Sequence, residues 1–286
     1  RAAIKHIHLF DSRTKAFKDD RVLQENIIIH LENKGQQGSV IISTSTDDSF
    51  ADLTVHKHPF SRIVLPSDLE KFIHIPTSST KSSIEKLTYV KHTLFDIGVN
   101  VSTGPVVDFR VKAFLRDMPE IDTVPLIYPL HLNRTKTVWP ISGSKKPNAI
   151  LRNKKTEKWL YPNGFYCVVR RFSSKEEERR VVASVIDPAT FIDQHVLGFE
   201  NHINLFHQNK HALPERLARG LTVFLNTTAV DEFFRQFNGH TQVNATDLKQ
   251  MKYPSRDILN QLGEWSMQHD NLTQSQIDNK LIELAQ

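Results

Sequence analysis

Seven prolines fall between residues 105 and 162, at Pro105, Pro119, Pro125, Pro129, Pro140, Pro147 and Pro162, and they bar that region from any long helix. Proline also lacks the N–H that a central strand needs, so the region reads as short strands joined by loops. In an irregular β-rich domain of this kind the loops carry function. Ahead of it, residues 4–10 alternate apolar and polar, Val22 to Leu31 is a β-branched strand, Gly35 to Gly38 supplies a turn, and Ser39 to Ser45 is the expected hairpin partner. Thr77 to Ser83 is rich in serine and threonine and reads as a linker leading into a helix near 84–95. We place a boundary there, between 1–76 and 84–286. The last third is helical in period over 213–218, 229–237, 245–251 and from Ser255 onward, with starts at Ser255 and Thr273. The expected class is α+β.

At 286 residues and 39% hydrophobic content the chain can bury a real core. No apolar run approaches the roughly twenty residues of a membrane span, so a membrane partner is not expected. The chain opens at Arg1 without methionine or signal-peptide pattern, which reads as entry in mid-protein. The single cysteine, Cys167, fits a reducing cytoplasm, and inside the apolar run Phe165 to Val169 it reads as a small core residue. Net charge is +5, but thirteen Lys and Arg against four Glu between Arg134 and Arg180 concentrate +9 there and leave −4 for the rest. A local basic excess suits a polyanion, because each neutralised phosphate releases counterions.

Several chemistries are missing from the pattern. The ten glycines include no G-x-G and no Gly-Lys pair, and no two prolines are adjacent. The pairs His6/His8 and His56/His58, each on one strand face, and His202, His207 and His211 near helical spacing, come without a carboxylate at metal-ligand spacing. Asp108 and Lys112, four apart, could be read as part of a nuclease, but no second acid stands beside them.

Taken in order, several runs resemble restriction-modification adenine methyltransferases of the Eco57I and TaqI type. These are Ile7 to Arg13, Ala16 to Ile28, Ser102 to Arg110, Tyr161 to Tyr166 with Val169 to Glu177, Asn226 to Arg235 and Gly239 to Leu248. The resemblance covers most of residues 4–255. It implies that 1–76 are the closing strands of a methyltransferase-type sheet, and that 84–286 form a target-recognition domain reading double-stranded DNA. The catalytic domain would stand in cis, with a cognate restriction endonuclease as system partner. The parent would transfer a methyl group from S-adenosylmethionine to the adenine amino group. The glycine-rich cofactor loop and the Asn-Pro-Pro-Tyr site would precede Arg1, so this segment should hold no cofactor and be inactive by itself. Phe17 resembles the aromatic that stacks on an extruded base. Candidate DNA contacts are Ser102, Thr103, Arg110, Lys145, Lys146, Arg170, Arg171, His240, Thr241, Gln242 and Asn244, with Gly104-Pro105 in a turn that could approach the duplex. Two other readings are a non-enzymatic specificity subunit of a multisubunit restriction system, suggested by the 225–254 ending, and a metal-dependent nuclease.

Overall fold

The computed structural model describes residues 2–12, 15, 26–66, 68, 71–79, 82–133, 137–173, 176–237, 241–269 and 271–284. It divides into two compact units, one of residues 1–82 with 232–240, the other of 83–231 with 241–286. The class is α+β with several sheets, as expected.

In the first unit, β1 (Ala2–Phe10), β2 (Ile27–Asn33), β3 (Val40–Ser45) and β4 (Thr54–His58) form one sheet in the order β2-β1-β3-β4. The β-branched content of these runs favours strand, but the expected β2/β3 hairpin does not form. β1 lies between them, antiparallel to β2 and parallel to β3. Apolar alternation says which face of a strand is buried and is silent about its neighbour. Ile7, Val40 and Ile42 pack with Ile63 of the short helix α1 (Phe60–Ile63), with no exposure. β2 is exposed along its whole length, with Ile27, Ile28, Ile29 and Leu31 among the exposed apolar side chains. His6 Nε2 and His8 Nδ1 both bond the Ser43 hydroxyl, at 2.7 and 2.8 Å, and His8 Nε2 reaches Ser45 Oγ at 3.1 Å.

The second unit opens without the helix expected over 84–95; only a 3-10 turn forms, Ile84–Lys86. Thr88, Val90 and Thr93 are poor helix formers, and Thr93 and Asp96 bond each other's backbone N–H, closing a turn that Gly98 ends at φ +69. Among the described residues nine strands follow: β5 (Asn100–Thr103), β6 (Leu115–Arg116), β7 (Thr123–Ile127), β8 (Ala149–Leu151), β9 (Leu160–Pro162), β10 (Tyr166–Arg170), β11 (Ala183–Ile186), β12 (Val196–Phe199) and β13 (Ile203–His207). They make two sheets, ordered β11-β10-β13-β5 and β6-β8-β7-β12-β9. Tyr166, Val168, Ile203 and Leu205 of the first meet Ile127, Tyr161, Leu197 and Phe199 of the second in one buried cluster.

Among the described residues five helices follow, α2 (Glu215–Leu225), α3 (Thr228–Phe237), α4 (Ala245–Gln250), α5 (Arg256–Met267) and α6 (Gln274–Glu283). They match the helical periods read above, and the Ser255 and Thr273 hydroxyls cap α5 and α6 by accepting from Ile258 N and Gln276 N. α2 and α5 cross at Gly220 and Gly263. Cys167 lies wholly buried in β10, and burial pushes its thiol up to about 12, so it is a core residue.

Candidate nucleic-acid interface

The corner Glu200-Asn201-His202, between β12 and β13, ties together three segments distant in sequence. Gly104 N donates to Ile203 O at 2.8 Å and Asn201 N to Val106 O at 2.9 Å, which fixes the loop after β5. Arg171 N donates to His202 O at 2.8 Å, and Val243 N to Arg171 O at 2.7 Å, which adds the chain after β10 and the stretch before α4. Asn204 then joins the outer two: it accepts from Thr103 Oγ1 at 3.0 Å and donates to Val243 O at 2.6 Å.

Arg171 is the centre of this face. Its Nη1 donates to Asn201 O at 3.2 Å and its Nη2 to Gln242 Oε1 at 3.1 Å, while Phe172 bridges Gln242 through the backbone. On the neighbouring loop, Lys146 Nζ and Asp108 Oδ2 stand 2.7 Å apart, and Arg110 projects from the same turn over the exposed ring of Phe109. Burial works to raise the Asp108 carboxyl, but the Lys146 ammonium, the Phe109 N–H and His202 together hold the group below its ordinary value. Glu200 is fully buried; burial pushes its carboxyl up, offset in part by the His202 N–H at 2.9 Å and the His202 ring, whose Nδ1 is 2.7 Å from Oε1. The Tyr128 hydroxyl, buried nearby and without a partner among the described residues, is pushed up chiefly by burial and then by Asp108 and Glu200.

The structure thus brings Thr103, Arg171, Thr241 and Gln242 to one face, with Arg110 in the turn after β5 and Lys146, from the loop before β8, paired to Asp108 of that turn. Other sequence-read candidates have other partners. Ser102, on β5, stands 2.9 Å from His207 Nε2. Arg170 pairs with Glu177. Asn244 starts α4, its N–H donating to Asp247 at 2.9 Å. Lys145 is exposed beside the site. Gly104 is buried, because a side chain there would meet the Glu200 carbonyl. Phe17 and His240 lie outside the described residues.

The basic stretch from Arg134 to Arg180 is only partly a surface feature. Arg179 and Arg180 are buried: Arg179 Nη2 donates to Thr227 O at 2.7 Å, and Arg180 N donates to Asp231 Oδ1 at 2.6 Å. Arg152 is paired with Glu157. Asp108 has Lys146 as its close cation, and no group of three or more His, Cys, Asp or Glu that could hold a metal occurs among the described residues. His202, His207 and His211 are not on a helix; they occupy the corner, β13 and the turn after it. Glu200, Asn201, His202 and Asn204 were not among the sequence-read candidates. Their signal is two polar breaks, Glu200-Asn201-His202 and Asn204, within the otherwise apolar run from Val196 to Phe206.

His207 is held neutral. Burial lowers its pKa to about 4, aided by Lys210 and Lys249, and Lys210 N donates to its Nδ1 at 3.1 Å. An unfolded histidine takes up a proton near 6.5, so stability present above that value is lost as pH falls and levels off below about 4. Between pH 7 and 5 the loss seen by denaturant unfolding should be smaller by about 1–2 kcal/mol in His207→Gln than in wild type; an equal loss in the variant would refute this.

No protein-family model matches the chain. It is 56% identical over 285 residues to type II methyltransferase M.BsuBI of Bacillus subtilis, a match covering 99% of this chain and 56% of that protein. It is 45% identical to type II methyltransferase M.PstI of Providencia stuartii, over 91% of this chain and 52% of the relative. The chain therefore spans about half the length of these relatives. Two solved structures overlay more loosely: the type IIG restriction endonuclease BpuSI, with TM-score 0.40, 11% identity and 93% and 39% of the two chains covered, and the type IIL restriction-modification enzyme MmeI in complex with DNA, with 0.44, 9%, 99% and 42%. Across its length the chain is a homologue of type II methyltransferases, in line with the resemblance read from its sequence.

Proposed function

We propose that this homologue of type II methyltransferases reads duplex DNA on behalf of an adenine-methylating enzyme. The supporting observation is the corner at Glu200–His202, which gathers hydrogen-bond donors and cations from three separate segments onto one face. Guanidinium, ammonium, hydroxyl and carboxamide groups are the inventory that phosphates and base edges need. In this reading residues 84–286 are the target-recognition domain and 1–76 close the catalytic sheet. The whole protein takes its methyl group from S-adenosylmethionine, delivers it to the adenine amino group, and is partnered by a cognate endonuclease. Kinship with the two methyltransferases supports the reaction class. In this reading the cofactor loop and the Asn-Pro-Pro-Tyr site, and methyl transfer with them, belong to a part of the protein outside these 286 residues.

The test is a binding isotherm on labelled duplexes at two salt concentrations. With three to four phosphates contacted, affinity should fall by about 40- to 150-fold between 50 and 200 mM salt. Arg110 and Lys145 are exposed, so Arg110→Ala with Lys145→Ala should flatten that salt slope by up to about 0.9 per cation and leave the melting temperature unchanged. An isotherm insensitive to salt, or no binding at all, would sink the reading.

A further inference from the structure

The sequence singles out Phe172 for no role, yet the structure treats it unusually. Its side chain is 41% exposed although it follows directly on a buried strand. The ring stands edge-on against the His202 imidazole, centroids 4.7 Å apart at 61°. That imidazole stands beside Glu200, whose carboxyl sees no solvent, accepts from the His202 backbone N–H through Oε2 and has Oε1 2.7 Å from Nδ1. The Arg171 guanidinium carbon sits 5.9 Å from the Phe172 ring centroid, and the backbone beside the ring is pinned to Gln242.

Burying a carboxylate is costly unless something is gained from the rigidity it imparts. Here it fixes a histidine, and that histidine props a phenyl ring that faces solvent. A solvent-facing phenyl gains nothing from water, whereas a rigid ring flanked by a cation is the device by which proteins stack on or wedge between bases.

We propose that Phe172 is a base-contacting residue of the DNA interface, a wedge that Glu200 and His202 hold in place and that Arg171 anchors to the adjacent phosphate. This rests on the DNA-reading function above. It adds a contact that depends on a π face and not on charge, so it is separable from the salt-dependent grip.

The experiment uses a duplex selected by the wild-type protein from a random-centre pool, then resynthesised with 2-aminopurine at each adenine in turn. Wild type should raise 2-aminopurine fluorescence at one position, reporting an unstacked base. Phe172→Ala and Phe172→Leu should lose that rise and bind about tenfold or more weakly, with salt slope and melting temperature unchanged. Phe172→Trp should restore both. Leucine keeps apolar volume but lacks the π face, so wild-type affinity and fluorescence in Phe172→Leu would overturn the proposal, as would binding by Phe172→Ala at wild-type strength. Wild-type protein that selects no duplex would instead bring down the DNA-reading function itself.

Discussion

Gly220→Ala should cost about 3 kcal/mol and lower the melting temperature of the second unit by roughly 6–12 °C. An alanine Cβ there would lie 1.7 Å from the carbonyl oxygen of Leu259, and one at Gly263 would lie 1.9 Å from that of Arg216. The two glycines let α2 and α5 touch backbone to backbone, so neither neighbour can swing aside as a flexible side chain would. Gly263→Ala should therefore match Gly220→Ala. Because both act on one helix contact, the double variant should cost less than the sum. Gly38, where an added Cβ would meet nothing within 4 Å, supplies the contrast: Gly38→Ala should be neutral. Thermal melts of the four proteins settle the matter, and an unshifted Gly220→Ala would mean that the helices do not meet this closely.

Gly104→Ala should lose DNA binding as well as stability. A Cβ at this position would lie 2.2 Å from Glu200 O and 2.7 Å from Phe199 O, both backbone atoms of the segment that carries the corner. Relief requires the loop after β5 to lift off β12 and β13, which breaks Gly104 N to Ile203 O and Asn201 N to Val106 O. Two lost bonds with buried ends put the cost at about 2–4 kcal/mol. Misplacing Thr103, Asp108 and Arg110 together should then reduce affinity for the selected duplex by at least about tenfold even below the melting point, a fall that matches a 1.4 kcal/mol loss. Affinity measured well below the transition separates the effects; wild-type affinity in folded Gly104→Ala would show that this loop plays no part in binding.

Local signals in the sequence were readable where one segment decides its own structure. Ser255 and Thr273 stand at helix starts because a hydroxyl caps regardless of what lies across the fold. Cys167 reads as buried from its apolar run alone. Pairing was less legible: Ile27 to Asn33 is a strand, but its partner is the earlier β1 and not the strand after the turn. Of the candidate site, Arg171, Thr241 and Gln242 are recognisable by residue type and by resemblance. Glu200 is not, since a lone glutamate ordinarily signals a solvated position. Only the fold reveals that it is buried and sits beneath a histidine and a phenylalanine. In the same way, Arg179 and Arg180 count toward a basic surface in sequence and turn out to satisfy the interior near Thr227 and Asp231.

The bond from Thr103 to Asn204 closes over 101 residues, and that from Arg171 to Gln242 over 71. Loops of this length must be closed before the contacts that reward closure exist, which makes such topologies slow to form. On a ribosome delivering about 5–20 residues each second, β5 waits about 5–20 s for β13, and Arg171 about 4–14 s for Gln242. This face therefore cannot close until Val243 has been made, and any truncation ahead of Val243 leaves it open.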